Sequence, residues 1–173
     1  MKIGYVTAPG RGDVDRLLDT VARRLSARGV RLCGTVQINS QTAGGGPHDM
    51  DIRVLPDGPV LRISQSLGPG ARGCRLDPEA LERAVGLVSA RLSEGADMLI
   101  VNKFGKQEAE GRGFRNVIAE ALAQDVPVLV GLNGANRAAF QSFAAGLATD
   151  LPPRADALES WALSGGGATP ATG

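Results

Sequence analysis

The chain has 173 residues, 43% hydrophobic and 21% charged, with a formal net charge of +1; this describes a soluble globular domain large enough to bury a core. Balanced charge argues against a broad nucleic-acid or membrane footprint, and 3% aromatic content leaves few platforms for stacking single-stranded bases. No apolar run approaches the ~20 residues that cross a bilayer, and Met1 leads straight into a strand without a basic and apolar leader, so a cytoplasmic protein with no membrane insertion and no nucleic-acid partner is expected.

Lys2 to Val6 is the first predicted strand, followed by a glycine turn from Thr7 to Gly12. Val14, Leu17, Leu18, Val21 and Leu25 then recur at offsets of three and four, one apolar helix face that stops at Arg28 and Gly29. Arg31 to Ile38 is the second strand, and residues 39–47 form a polar, glycine-rich loop. Met50 to Leu55 and Val60 to Ile63 flank Pro56-Asp57-Gly58-Pro59, the turn chemistry of a β-hairpin. A second glycine loop spans 68–73. Asp77 and Pro78 supply an N-cap carboxylate and a first-turn proline, and Gly95 ends that helix.

Met98 to Val101 is a short apolar run between Asp97 and Asn102, which predicts a buried central strand. Asn102, Lys103, Lys106, Gln107 and Glu108 then fall on the rim, where open α/β sheets collect ligands. A helix is predicted over 114–122, a strand over 126–132, and a short helix over 137–143. Pro152-Pro153 breaks the chain before a docking helix at 155–163, carried by Leu158 and Trp161. The order predicts one α/β domain over residues 1–163: a mostly parallel sheet, helices on both faces and a β-hairpin insertion. Residues 164–173 lack apolar content and are expected to be a disordered tail.

Two segments carry a resemblance: Gly73-Cys74-Arg75-Leu76-Asp77-Pro78, and the longer Val101-Asn102-Lys103-Phe104-Gly105-Lys106-Gln107-Glu108-Ala109-Glu110-Gly111-Arg112-Gly113. Over residues 2–148 the chain resembles a bacterial family named only as domain of unknown function 2478. More distantly it resembles small P-loop nucleoside triphosphatases of the RecA-like group. The first resemblance implies an association with molybdate transport, because members are often encoded beside those genes. The second implies a nucleotide-binding scaffold.

Laid on Gly-x-x-x-x-Gly-Lys-Ser/Thr, Thr7 takes the first glycine position, Gly12 the second, Asp13 the lysine and Val14 the hydroxyl. An aspartate repels a triphosphate, and a valine cannot hold Mg²⁺. The acidic pair that ends the central strand in the relatives aligns with Asn102 and Lys103. Both motifs are degenerate, so the chain is read as leaning away from Mg²⁺-dependent hydrolysis, with no catalytic residue assigned.

What remains describes an anion site. The helix after Gly12 offers free N–H groups and the positive end of its dipole. Gly10, Arg11, Gly12, Asp13, Asn102, Lys103, Lys106, Glu108 and Arg112 are the candidate ligand-binding residues. A tetrahedral oxyanion suits this set: molybdate, tungstate, sulfate or phosphate, with nucleotide as a second choice. The competing reading is a solvated charged loop in which Lys103 or Lys106 pairs with Glu108. Cys33, His48 and Cys74 form a weaker metal alternative, without the close-spaced pair that zinc sites favour. Asn133 and Asn136 are read first as caps of the helix that follows.

Three functions follow. The first is a non-catalytic oxyanion- or nucleotide-binding protein. The second is a divergent nucleoside triphosphatase or phosphotransferase, with Lys103 replacing the missing loop lysine and Glu108 or Glu110 as base. The third is a regulatory scaffold that meets a molybdate-transport or cofactor-assembly partner, or a second copy of itself.

Overall fold

Ile3–Val6 (β1), Met98–Phe104 (β5) and Val128–Leu132 (β6) are almost wholly buried on both faces, as strands covered by helices on two sides must be. A computed structural model, which describes residues 2–10, 12–40, 49–64 and 76–164, adds Leu32–Ser40 (β2), Asp49–Val54 (β3), Val60–Arg62 (β4) and Thr149–Leu151 (β7). The sheet order is β4-β3-β2-β5-β6-β1-β7. From β2 to β7 all neighbours are parallel; β3 and β4 extend the sheet antiparallel. The expected hairpin is therefore present, as the outer part of a β2-β3-β4 meander.

Among the described residues six α-helices, Asp13–Ala27 (α1), Pro78–Ser93 (α2), Lys106–Ala109 (α3), Arg115–Ala123 (α4), Arg137–Ala144 (α5) and Ala155–Leu163 (α6), and a 3-10 turn at Gly134–Asn136 complete the fold. Leu18, Val21 and Leu25 of α1 share one core with Leu158 of α6; Leu81 of α2, Val117 of α4 and Phe140 of α5 belong to the other. The sheet thus has helices on both faces. Asp77 caps α2 as its sequence predicts, its Oδ1 accepting from the backbone N–H of Glu79 (3.0 Å) and Ala80 (3.3 Å). No helix among the described residues is long and apolar enough to cross a membrane.

Three elements differ from expectation. β7 is a strand where only a break was foreseen; three residues ahead of two prolines show no periodicity, and pairing with β1 supplies what the pattern lacks. β5 continues to Phe104, and its ladder with β6 shifts register between Asn102 and Phe104. Residues 106–109 make a helical turn inside the predicted rim loop. Of the predicted tail only Ser164 is described; it ends α6 and accepts from Lys2 Nζ at 2.6 Å.

Candidate functional site

The connection leaving β1 crosses to β2 on one side, and the connection leaving β6 crosses to β7 on the other. Connections that part in this way open a crevice at the carboxyl ends of the strands. A cavity of about 690 Å³ lies there, within the size range of small-ligand sites. Its wall comes from residues 7–10, 12, 14 and 15 of the β1–α1 turn, from Lys103 at the end of β5, and from residues 132–134 and Arg137 after β6.

Lys103 makes no hydrogen bond or ion pair among the described residues, although its neighbours Asn102 and Phe104 are buried. Its ammonium is therefore available to a ligand. Arg137 was not among the candidates. It stands at the start of α5, and its guanidinium has only long contacts: 3.5 Å to Tyr5 Oη, 3.5 Å to Thr7 Oγ1 and 3.9 Å to Asp150. The scarce aromatics hold α5 in place. Tyr5, Phe140, Phe104 and Phe143 form a chain of ring contacts at 5.3, 5.2 and 5.7 Å, the first two edge-on as ring quadrupoles favour. Gln141 Nε2 donates to Tyr5 Oη at 3.0 Å and ties the same helix to β1.

The glycine turn enters α1 through Gly12, whose φ of 78° is left-handed and suits a residue without Cβ. Asp13 is turned back along the loop, where a Cβ on Gly10 would overlap its carboxylate, and it is ion-paired with Arg16. Asp13 is thus neutralised by its own helix and does not line the cavity. Val14 and Asp15 do line it. Asn102 lies behind them at 3% exposure, and neither its Nδ2 nor its Oδ1 has a partner among the described residues. A Cβ on Gly131 would lie 2.9 Å from Val14 Cγ1 and 3.3 Å from Asn102 Oδ1. Val14, Gly131 and the Asn102 amide are therefore packed against one another beside the turn.

The rim segment is organised by Glu108, which does not face the cavity. At 3% exposure, its Oε1 accepts from Gly105 N–H at 2.8 Å and its Oε2 from Phe114 N–H at 3.0 Å. Burial raises its carboxyl above the usual 4.5, against the pull of those backbone donors, and Glu82 adds to the rise. Gly113, at φ +61°, passes so close that a Cβ would overlap the Glu108 carboxylate. The neighbouring Gly113 N–H donates to Glu82 at 3.2 Å. Glu108 therefore stands off the cavity wall, and neither Lys103 nor Lys106 pairs with it among the described residues.

Lys106 is exposed at the first position of α3 and lies off the cavity wall. Arg112 also lies off it; the guanidinium pairs with Glu110 and donates to Gln107 Oε1 at 3.0 Å. Of the nine candidates, Gly10, Gly12 and Lys103 share the cavity wall, and Arg11 lies outside the described residues. Cys33 is fully buried in the core, and burial pushes its thiol up to about 12, which disfavours the thiolate that metals require. His48 and Cys74 lie outside the described residues, and no group of three metal-ligating side chains occurs among those described. Asn133 caps not α5 but the 3-10 turn Gly134–Asn136 ahead of it, its Oδ1 accepting from the backbone N–H of Asn136 at 3.2 Å, and it also lines the cavity; Asn136, which precedes α5, makes no side-chain cap bond.

A parallel sheet with a glycine turn feeding a helix, a crevice beyond β1, β5 and β6 and an antiparallel extension define a fold of the P-loop nucleoside triphosphatase type. The solved solution structure of a human cancer-related nucleoside triphosphatase has the same fold, with a TM-score of 0.60 at 20% identity over 87% of each chain. The chain belongs to the DUF2478 family of proteins of unknown function, whose model matches residues 3–161. It is also 36% identical over 149 residues to the molybdenum import ATP-binding protein ModC 2 of Bradyrhizobium diazoefficiens; that match spans 86% of this chain but only 17% of the relative's length.

Proposed function

We propose that the protein binds an anionic ligand of the oxyanion class without hydrolysing it. The candidates are molybdate, tungstate or the phosphates of a nucleotide. One observation carries this reading: Lys103 and Arg137, from different strands' ends, share a cavity wall with the start of α1. Two cations and a helix N-terminus around one cavity favour a multiply charged anion. The cavity volume exceeds the needs of a bare tetrahedral ion, so there is room for the remainder of a nucleotide beside Asn133 and Gly134.

The enzymatic alternative has less support from its candidate bases. Glu108 is held by backbone donors inside the rim, and Glu110 is ion-paired with Arg112. A role in molybdenum handling, beside a transport component, is supported by the likeness to part of a molybdenum import ATP-binding protein.

Thermal shift and calorimetry against molybdate, tungstate, sulfate, phosphate, ATP and GTP test this. A bound ligand should raise the melting temperature as its concentration passes its dissociation constant. Lys103→Ala and Arg137→Ala should each weaken binding by roughly tenfold or more, the cost of losing a charge-assisted contact of about 1.5–3 kcal/mol. Phosphate release from ATP or GTP above blank would refute the non-hydrolytic part. Absence of any binding would leave a scaffold role.

A further inference from the structure

P-loop relatives imply a Mg²⁺ ion beside the phosphates, and the residues here do not fit one. Magnesium takes hard oxygen ligands in near-octahedral geometry and relies on carboxylate charge. Val14 presents only methyl groups at the hydroxyl position. Asn102 replaces a carboxylate by a neutral amide, at 3% exposure and behind the cavity wall. A carboxylate there would be a buried charge needing a cation; an amide of the same shape removes that need. Among the described residues, Asp15 is the one acid on the wall. It is 6% exposed and has an interaction of its own within the fold.

We propose that the cavity binds its anion without a divalent cation, Lys103 and Arg137 supplying the positive charge that Mg²⁺ would otherwise bring. This rests on the anion-binding reading above. Lys103 is free of ion pairs among the described residues. Arg137 holds its three polar neighbours at 3.5 Å or more, contacts that shorter, charge-assisted bonds to an oxyanion displace. Both side chains line the cavity and carry their charge without a metal.

Calorimetric titration with two probes, molybdate and ATP, each in EDTA and in excess Mg²⁺, decides the matter. The expected result is a probe that binds in EDTA with a dissociation constant within about threefold of its value in Mg²⁺. ATP, if it is the probe that binds, should bind no more weakly in EDTA, because chelated Mg²⁺ cancels charge that the two cations would meet. Tightening by roughly tenfold or more on adding Mg²⁺ would overturn metal independence while leaving anion binding intact. Binding of neither probe under either condition overturns the anion reading itself. Lys103→Ala should bind roughly tenfold or more weakly in EDTA and not recover with Mg²⁺; recovery would show that a metal can take the lysine's place, against the proposal.

Discussion

Asp13 is the residue an anion site should tolerate least, and its surroundings explain why it can stay. Its carboxylate folds back over Gly10 and is paired with Arg16 one turn further along α1. An acid in a first helical turn also meets the positive end of the dipole, a local stabilisation of helix by charge. The pair is exposed, so its effect on a bound anion is modest. Arg16→Ala should unmask the aspartate and weaken anion binding about two- to fivefold at low salt, in line with exposed ion pairs. Asp13→Asn in the same background should restore it. Titrations of the single and double variants check this; equal affinities in all of them would show that Asp13 does not feel the ligand.

The rim between β5 and α4 is an element built around a buried acid. Glu108 satisfies the N–H groups at both ends of the segment, Gly105 and Phe114. Glutamine has one side-chain oxygen where two donors wait, and its NH₂ would face the second. Glu108→Gln should therefore cost about 1–3 kcal/mol near neutral pH, the penalty of a buried donor left unpaired, read by urea unfolding. Burial raises the Glu108 carboxyl above its usual 4.5. Between 4.5 and the raised value the folded chain keeps a proton that the unfolded chain has released. Stability from this group is thus fully present below 4.5 and is lost as pH rises through the folded pKa. The deficit of Glu108→Gln should consequently grow as pH falls across that window; a deficit independent of pH would mean that burial does not shift this carboxyl.

Sequence periodicity found α1 and the buried part of β5, because their apolar spacing is dictated by helices and sheets alike. Asp77 was legible as a cap because capping is local. The inward turn of Glu108 was not legible, for the opposite reason. A run of Lys, Gln and Glu looks solvated, and nothing local reveals that one carboxylate turns inward to meet N–H groups three and six residues away. The cue that was present is the flanking pair Gly105 and Gly113, small residues bracketing a space the side chain fills.

At the scale of the molecule, strand order makes the cavity. β6 lies between β1 and β5, so Lys103, Arg137 and the glycine turn converge although they come from three parts of the chain. Arg137 carried no sequence signal because its placement depends on that order and on the aromatic cluster beneath α5. The opposite face is closed by α6, whose Leu158 is fully buried with Leu18 and Leu25 of α1 in one core. Glu159 pairs with Arg28 at 2.6 Å and Arg24 at 3.5 Å, and Lys2 Nζ donates to the Trp161 carbonyl at 2.6 Å. A Cβ on Gly4 would overlap both Leu151 and Trp161, so the ring lies directly on β1. These contacts bind the last helix to the first strand and the first helix, and one cooperative unit is the expected consequence. Trp161 is the only tryptophan, so its fluorescence reports α6 alone. Its transition in urea should coincide with that of far-UV circular dichroism. Leu158→Ala should shift both midpoints together by about 2–5 kcal/mol of stability, the cost of a large cavity in a core. An earlier fluorescence transition in the wild-type chain would instead make α6 a separately detaching element, with the sheet and the anion cavity stable without it.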